Sequence, residues 1–305
     1  MMMKTMVAEP TAASVWLAMS RRASDYLTLT KPRVVGMVMI TTAVGFYLAS
    51  SGSMDGLLLL HTLIGVALAS GGTLALNQYL ERDLDAQMLR TRLRPLPEGR
   101  LQPNEALGFG VAIATGGLVY LAGVVNPLSG FVTAISVGSY LFLYTPLKQK
   151  TPLCILVGAV PGALPPVTGW AAASGGLHLE AGILFAILFL WQIPHSLAIA
   201  VLYREDYARA NFQLLPVVEP DGTSTGRQIV SHCLVLLAVG LLPTTIHLTG
   251  VVYFVTAFVL GLGLLTCGLM LAKRPSAKAA RRLLLATLIY LPTLLVVMAI
   301  DKVRF

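Results

Sequence analysis

The sequence predicts an all-α integral membrane protein with nine transmembrane helices. Of its 305 residues, 56% are hydrophobic and only 12% are charged, and the mean hydropathy is +0.76. Its repeated apolar runs of about 20 residues are each long enough to cross the ~30 Å hydrocarbon core of a bilayer as a helix. These runs lack the alternation of polar and apolar residues that is typical of membrane β-barrels. Helices are therefore favoured, because they satisfy their own backbone hydrogen bonds in lipid.

Nine apolar segments are predicted as the membrane spans. Their approximate limits are residues 34–50, 57–80, 105–125, 128–147, 153–173, 179–201, 228–249, 251–272 and 283–300. Of the 22 Lys and Arg residues, all but Lys302 and Arg304 precede the first span or follow spans two, four, six and eight. The positive-inside rule therefore places the N-terminus and the four basic loops in the cytoplasm, and the C-terminus on the opposite side.

The chain is expected to form one polytopic membrane domain over residues 29–305. Residues 1–28 are predicted as an N-terminal cytoplasmic segment that is poorly ordered or interfacial. The net charge of +8 would suggest nucleic acid as a partner in a soluble protein. Here the positive residues lie in loops between apolar spans, so they indicate membrane orientation, with the lipid bilayer and no nucleic acid as partner.

A polar stripe ends the second span. Asn77, Glu81 and Asp85 are spaced four residues apart, so a continuous helix would place them on one face, about 12 Å from end to end. Amide and carboxylate oxygens in this arrangement suit Mg²⁺, which also takes phosphate oxygens and water as ligands. Asp83 points away from the stripe. The alternative is a frayed helix end whose carboxylates are solvated and paired with neighbouring arginines.

The basic cluster that follows the stripe favours the metal-site interpretation. Arg90, Arg92 and Arg94 come directly after it, and guanidinium groups bind phosphate oxygens with two parallel hydrogen bonds. Carboxylates that hold Mg²⁺ beside such arginines would form a diphosphate site. Ionisable groups at membrane depth are usually functional, which supports this hypothesis.

Two further charged segments are predicted on the same face. After span six, Asp206 and Glu205 could hold a second Mg²⁺, with Arg204 contacting phosphate, or the segment is an ordinary charged loop. At the end of span four, Lys148 and Lys150 are candidates for phosphate contacts, or they only signal membrane orientation.

A group of polar residues inside span six is typical of a cavity lining. Trp191, Gln192 and His195 surround Pro194, which interrupts the helical hydrogen-bond ladder. The alternative for His195 is a packed side chain with one hydrogen bond.

Span five is unusually rich in small residues and proline, which favours close helix packing, room for a bulky apolar ligand, or both. Its residues of this kind are Gly158, Pro161, Gly162, Pro165, Pro166 and Gly169.

These residues resemble motifs of the UbiA superfamily of membrane prenyltransferases, and most closely those of its branch that farnesylates protohaem IX. The similarity extends from about Leu29 to the last span. It is carried by Asn77-x-x-x-Glu81-x-x-x-Asp85 with Arg90-Thr91-x-x-Arg94-Pro95-Leu96-Pro97-x-Gly99-Arg100; Tyr144-Thr145-Pro146-Leu147-Lys148; Gly162-Ala163-Leu164-Pro165-Pro166-x-x-Gly169-Trp170; and Trp191-Gln192-x-Pro194-His195 with Arg204-Glu205-Asp206-Tyr207 and Leu215-Pro216.

The resemblance implies nine helices around a central cavity that opens to lipid, in the cell inner (plasma) membrane. It implies transfer of the farnesyl group of farnesyl diphosphate to a vinyl group of haem B, with water, giving haem O. The product would pass to a haem A synthase or to terminal oxidase assembly. Mg²⁺ is the implied cofactor, with catalytic and metal-binding roles for Asn77, Glu81, Asp85 and Asp206. Diphosphate contacts are implied for Arg90, Arg94, Lys148, Lys150 and Arg204, and haem or prenyl contacts for His195, Tyr144, Gln192 and Trp191.

Three departures from the superfamily pattern accompany the match. Glu81 replaces the usual Asp, and Asp206 lacks an acidic partner four residues away on either side. Residues 211–213 differ from a Gly-Ile-Pro-like run.

Two alternatives stay open: a related enzyme that prenylates an aromatic quinone or chlorophyll precursor, and a membrane transporter. The position of nearly all the acids at the cytoplasmic span ends argues against a transporter, whose ion path would need acids in midspan.

Overall fold

A computed structural model describes residues 12–303 of the chain, with side chains from residue 19 to 303. In this range the secondary structure is helical, apart from one isolated β-bridge between Thr249 and Lys302. The helices are α1 (Ala12–Leu29), α2 (Pro32–Ala49), α3 (Gly56–Leu80), α4 (Arg82–Asp85), α5 (Pro103–Tyr120), α6 (Pro127–Gly138), α7 (Thr145–Leu147), α8 (Cys154–Ser174), α9 (Leu179–Leu202), α10 (Arg204–Arg209), α11 (Leu215–Val218), α12 (Thr223–Val239), α13 (Leu242–Thr245), α14 (Val251–Lys273) and α15 (Ala277–Ile300). Two π-helical segments, Leu121–Val125 and Ser139–Tyr144, extend α5 and α6.

The predicted all-α membrane fold is confirmed. Among the described residues, nine helical stretches are long and apolar enough to span a bilayer, as the hydropathy pattern predicts. Two of them begin well before the predicted residues 228 and 283: the seventh starts at Thr223 and the ninth at Ala277. Both early starts are polar or basic turns that hydropathy does not detect. Such turns stay helical because long basic side chains at a span end can reach the aqueous interface.

The bundle is built around α8 and α9. Helix α8 packs against α2, α6 and α9, and α9 packs in turn against α12 and α15. Helices α3 and α5 pair with each other, and α3 also contacts α2. Although α8 contains Pro161, Pro165 and Pro166, it continues as one helix from Cys154 to Ser174 and is largely buried. Neighbouring helices on several sides hold it in place where proline removes backbone hydrogen bonds.

Small residues allow α2 and α8 to approach backbone to backbone. A Cβ atom on Gly45 would lie 2.0 Å from the carbonyl oxygen of Pro166, and one on Gly169 would lie 1.9 Å from that of Thr42. Membrane helices depend on such close contact because lipid provides no hydrophobic driving force for their association. The expectation that the small residues of span five serve close packing is confirmed here.

The C-terminal end of the described chain is tied to the ends of α2 and α14. The ammonium of Lys302 donates hydrogen bonds to the carbonyl oxygens of Tyr47 at 2.8 Å and Ser50 at 2.6 Å. The carboxylate of Asp301 accepts one from the amide of Tyr253 at 2.7 Å. Lys302, an exception to the one-sided charge pattern, is therefore a structural residue at the bundle end opposite to the charged loops.

Within the predicted 1–28 segment, residues 1–11 lie outside the described residues and residues 12–29 form the regular helix α1. Asp25 of α1 pairs with Arg100, and the Tyr26 ring lies 4.9 Å from that of Phe109. The side-chain amide of Gln78 donates to the carbonyl of Leu29 at 2.8 Å. The second half of α1 is thus packed on α3, α5 and the loop between them, while the proposed division at residue 28 stays a prediction.

We expect Gly45→Ala to destabilise the protein by about 1–3 kcal/mol, because the new methyl group collides with the α8 backbone, which cannot move aside. Thermal unfolding of the protein in detergent measures the effect. Gly36→Ala is the matched control on the same helix, since nothing lies within 4 Å of its added carbon. Equal melting temperatures for the two variants would contradict this account of the α2–α8 contact.

Candidate active site

The polar stripe spans the end of α3 and the short helix α4, with Glu81 as the turn residue where the predicted continuous helix is interrupted. The amide of Glu81 donates to the carbonyl of Asn77 at 3.0 Å, and the amide of Asp85 donates to that of Glu81 at 2.7 Å. Asn77, Glu81 and Asp85 are only 1%, 5% and 1% exposed. The side chain of Asp83 is 84% exposed, which agrees with its predicted position off the stripe.

Each carboxylate of the stripe is paired with a basic side chain. Arg94 Nη1 lies 2.5 Å from Asp85 Oδ2, and Lys148 Nζ lies 2.6 Å from Glu81 Oε1. The hydroxyl of Thr91 donates to the Asp85 carbonyl at 2.9 Å, which folds the loop after α4 back onto the stripe. A buried carboxylate without such a partner would be strongly destabilising. The structure thus brings Arg94 and Lys148 to the acidic stripe, and their role in diphosphate binding stays a prediction.

The third member of the stripe, Asn77, contacts a residue that the sequence argument missed. Lys31 Nζ lies 3.4 Å from Asn77 Oδ1, and Asn77 Nδ2 lies 3.3 Å from the Thr145 hydroxyl. Lys31 adopts a left-handed backbone conformation with a φ of 49°, rare for a residue with a side chain. Burial, together with the charges of Arg94 and Lys148, lowers the pKa of Lys31 to about 7.

In the sequence, Lys31 belongs only to the one-sided charge pattern. The available signal was its position: it directly precedes Pro32, at the end of a span that faces the same loops as the stripe. Strained backbone conformations of this kind concentrate at functional sites. Lys31 therefore joins the candidate site.

Aromatic rings surround Lys148. Its ammonium lies 4.4 Å from the ring centre of Tyr144 and 5.8 Å from that of Phe212, at distances typical of cation–π contacts. Burial would lower the pKa of Lys148, but the neighbouring Tyr144 and the hydrogen-bonded Glu81 raise it above its ordinary value. Lys148 is therefore a permanent positive charge at this position.

Asp206 has its hydrogen-bond partners outside the stripe, and its role in binding Mg²⁺ stays a prediction. Its Oδ1 accepts a hydrogen bond from the Leu89 amide at 3.2 Å and pairs with the guanidinium of Arg209. Burial would raise the pKa of Asp206, but the hydrogen bonds from Arg209 and Leu89 lower it below the ordinary value. Asp206 therefore connects the segment after α9 to the basic loop after α4.

Among the described residues, three of the predicted phosphate contacts form no hydrogen bond or ion pair with the stripe: Arg90, Arg204 and Lys150. The guanidinium of Arg90 lies over the rings of Tyr203 and Tyr207, at 5.3 and 5.9 Å from their centres. Arg204 is exposed and reaches the carbonyl of Pro220 at 3.5 Å. Lys150 is exposed beyond α7. Their predicted roles in diphosphate binding stay predictions.

The oxygen donors of the stripe fit a hard divalent cation. Within residues 12–303, no three His, Cys, Asp or Glu side chains come together as a metal cluster. The protein can therefore offer Glu81 and Asp85 together with the amide oxygen of Asn77. Mg²⁺ is commonly held in this way, with one or two carboxylates while phosphate oxygens and water complete its coordination.

A cavity of about 460 Å³ lies in the bundle between α2, α3, α6, α8, α9 and α15. Its wall is mainly apolar and includes the predicted cavity residues Tyr144, Trp191, Gln192 and His195. A volume of this size is in the range of small-molecule sites. The central cavity of the predicted fold is thus present.

The π-helical segment and two glycines of α8 shape this cavity. Segment Ser139–Tyr144 carries Tyr140 and Tyr144, which line the cavity. A Cβ atom on Gly158 would lie 2.5 Å from the Tyr144 ring, and one on Gly162 would lie 1.8 Å from Gln192 Oε1. Both glycines are therefore needed for the cavity side chains to take these positions. Irregular π turns of this kind often occur at functional sites.

His195 is oriented by its neighbours. Its Nδ1 lies 2.9 Å from the Thr287 hydroxyl, and its ring stacks on Trp191 with centres 4.7 Å apart. The indole nitrogen of Trp191 donates to the Thr287 carbonyl at 2.9 Å. Because Nδ1 is engaged, Nε2 is the ring nitrogen that a ligand could bind.

The cavity wall reaches the outer surface of the bundle between α2 and α15. Val34 and Met37 of α2 and Leu288 of α15 line the cavity and are also 47%, 40% and 50% exposed. In a bilayer, apolar side chains exposed on a span face lipid. The opening of the cavity to lipid stays a prediction, and these exposed apolar side chains agree with it.

The sequence matches the UbiA prenyltransferase family over residues 38–293. The chain therefore belongs to this family of membrane enzymes, and it is a multi-pass membrane prenyltransferase.

Two relatives within this family are similar to the chain over most of its length, and both carry the name of one enzyme. The protoheme IX farnesyltransferase of Solibacter usitatus is 47% identical over 287 residues, covering 91% of this chain and 98% of that protein. The protoheme IX farnesyltransferase of Koribacter versatilis is 43% identical over 91% of this chain and 93% of its own.

Solved structures support the fold. A structure of digeranylgeranylglyceryl phosphate synthase superimposes with a TM-score of 0.79 at 17% identity, covering 92% of this chain and 98% of that one. A UbiA homologue from Archaeoglobus fulgidus, bound to GPP and Mg²⁺, gives a TM-score of 0.62 at 16% identity, covering 90% and 99% of the two chains.

We expect Asp206→Ala to loosen the basic loop, because the Leu89 amide and Arg209 both lose their acceptor. Hydrogen exchange of residues 86–94 should become about tenfold faster, as expected for the loss of roughly 1.4 kcal/mol. Asp206→Asn keeps an acceptor oxygen and should exchange more slowly than the alanine variant. Glu205→Gln changes the exposed neighbour and is the control; a loop equally protected in all variants would contradict the connection.

Proposed function

We propose that the protein transfers the farnesyl group of farnesyl diphosphate to a vinyl group of haem B, with addition of water, giving haem O and diphosphate. The observation that carries the proposal is the continuity of a charged site with an apolar cavity. Tyr144 belongs to both, since its ring contacts Lys148 and also lines the cavity. A molecule with a diphosphate head and a long apolar tail is the matching substrate.

The relatives support the acceptor and the length of the prenyl group. Proteins named protoheme IX farnesyltransferase are up to 47% identical to this chain over about nine tenths of it. An oriented histidine in the cavity is chemically suited to haem, because Nε2 of His195 can approach the iron while Thr287 holds Nδ1. We therefore propose haem contacts for His195, Trp191 and Gln192.

At the charged mouth, Asn77, Glu81 and Asp85 would hold Mg²⁺, which supplies positive charge to the departing diphosphate. Lys148, Arg94 and Lys31 lie beside these oxygens and would bind the phosphate oxygens. Fixed cations aimed at developing negative charge lower the barrier to its departure. The charges of this site thus favour cleavage of the bond between farnesyl C1 and the diphosphate oxygen, whose electron pair leaves with diphosphate.

Departure of diphosphate leaves an allylic cation on the farnesyl group, and the cavity determines how this cation reacts. Its wall excludes bulk water while the cation exists, and the rings of Tyr140 and Tyr144 can stabilise positive charge near the mouth. The π electrons of the haem vinyl group form the new bond to C1. The resulting cation next to the porphyrin takes up one water molecule and releases one proton, which gives the hydroxyethylfarnesyl side chain.

We further propose that the protein lies in the cell inner membrane with the charged loops and N-terminus in the cytoplasm. The support is the restriction of Lys and Arg to one set of loops. The product would then pass to a haem A synthase or to assembly of a terminal oxidase.

The reaction is tested by extracting haem from membranes that contain the protein and were supplied with farnesyl diphosphate and haem B. The extract should contain a haem heavier by one farnesyl group plus one hydroxyl group, detected by mass spectrometry. Membranes that prenylate only a quinone or chlorophyll precursor would contradict the proposal and favour the related enzyme class.

The site is tested with Glu81→Gln and Asp85→Asn, which remove the charges proposed to hold Mg²⁺. Each should lower haem O formation about 100-fold or more, the effect typical of losing electrostatic stabilisation in an active site. Asp83→Asn is the control, because this acid is exposed two residues from Asp85. Near-normal turnover by Glu81→Gln and Asp85→Asn in membranes with normal amounts of protein would refute the assignment.

A further inference from the structure

All three oxygen donors of the stripe already have basic partners. Lys148 binds Glu81 at 2.6 Å, Arg94 binds Asp85 at 2.5 Å, and Lys31 reaches Asn77 Oδ1 at 3.4 Å. Each of these contacts uses one oxygen of a side chain that the proposed function assigns to Mg²⁺. An ammonium or guanidinium repels a metal ion that binds the same carboxylate or amide. Metal binding is therefore favoured when these cations move away.

The charge balance of this cluster disfavours either ligand alone. Lys148 and Arg94 already neutralise the two carboxylates, and Lys31 adds a third basic group, so the cluster offers a lone divalent cation no uncompensated negative charge. A lone diphosphate that drew the cations away would leave Glu81 and Asp85 buried without partners. Uncompensated buried charges are strongly destabilising. When metal and diphosphate enter together, the carboxylates gain the metal and the cations gain phosphate oxygens.

We propose that Lys31, Arg94 and Lys148 act as exchangeable counter-ions, which hold the metal-binding oxygens until Mg²⁺ and diphosphate enter together and then transfer to the phosphate. This inference rests on the proposed function and adds to it the requirement that metal and diphosphate bind together. Neither the metal nor the diphosphate binds tightly without the other. Mg²⁺ and the three basic side chains thus surround the diphosphate only when metal and diphosphate are both bound.

The surroundings allow this exchange to occur within the side chains. The carbonyl of Lys148 accepts a hydrogen bond from the Gln213 amide at 2.7 Å, and the amide of Lys31 donates to the Thr28 carbonyl at 3.2 Å. Both backbones are thereby fixed while the long side chains can change rotamer. Arg94 has a side chain that is 21% exposed, so it reaches solvent. The three cations come from three separate parts of the chain, so each can move without the others.

The test uses the purified full-length protein in detergent, with Mn²⁺ as a paramagnetic substitute for Mg²⁺ and inorganic diphosphate as the second ligand. Electron paramagnetic resonance measures bound Mn²⁺ without any turnover, and titrations that contain diphosphate are corrected for Mn²⁺–diphosphate in solution. The wild-type protein should bind Mn²⁺ at least about tenfold more tightly when diphosphate is present, a change that corresponds to one charged hydrogen bond.

Removing a counter-ion should strengthen the binding of Mn²⁺ alone and reduce the gain in affinity that diphosphate brings. Lys148→Met and Arg94→Met should each bind Mn²⁺ alone about tenfold more tightly than the wild type, because the carboxylate is released. The gain from diphosphate should shrink in both, because a phosphate partner is lost. Arg274→Met, which changes an exposed arginine in the loop after α14, should match the wild type. If Lys148→Met elutes as an aggregate, Arg94→Met decides the question at a less buried residue.

The outcomes separate this inference from the proposed function. Weaker or unchanged binding of Mn²⁺ alone by the folded variants would overturn the exchange. So would a wild-type protein that binds Mn²⁺ equally tightly with and without diphosphate while it still produces haem O. A wild-type protein that binds no Mn²⁺ under either condition would instead refute the metal site on which the proposed function depends.

Discussion

The ion pairs of Glu81 with Lys148 and of Asp85 with Arg94 are the interactions on which the site depends. Both carboxylates are buried at the end of a membrane span, where an unpaired charge would be severely destabilising. Burial thus forces basic residues from elsewhere in the chain to meet the stripe. Once this requirement is met, the same groups provide what a diphosphate site needs, namely oxygen donors for a metal and cations for phosphate. Stability and function here use the same charges.

The segment after α9 binds the two parts of the chain that carry Arg94 and Lys148. Asp206 binds the amide of Leu89 in the loop that carries Arg94, and the Gln213 amide binds the carbonyl of Lys148. One short stretch of chain therefore touches both basic elements beside the stripe. This arrangement explains why a charged segment far along the sequence belongs to the site even though its own acid is not beside Glu81 and Asp85.

Helix α8 connects this charged mouth to the apolar interior. Its glycines allow Tyr144 and Gln192 to lie against it, and its small residues bring α2 close enough to form one wall of the cavity. A methyl group at Gly158 or Gly162 would occupy the space of a cavity side chain. The close packing and the open cavity, which appeared as alternatives in the sequence, are therefore two consequences of the same residues.

The sequence by itself determined the features that depend on neighbours in the chain. Hydropathy over about 20 residues located the spans, and the four-residue spacing of a helix placed Asn77, Glu81 and Asp85 on one face. Only the tertiary structure decided which distant residues meet them. Lys31 lies 46 residues from Asn77, and Asp206 contacts a loop 117 residues away, so no local pattern could reveal either contact. Helical periodicity is a local property of the backbone, whereas the partner of a buried charge is chosen by how the whole bundle packs.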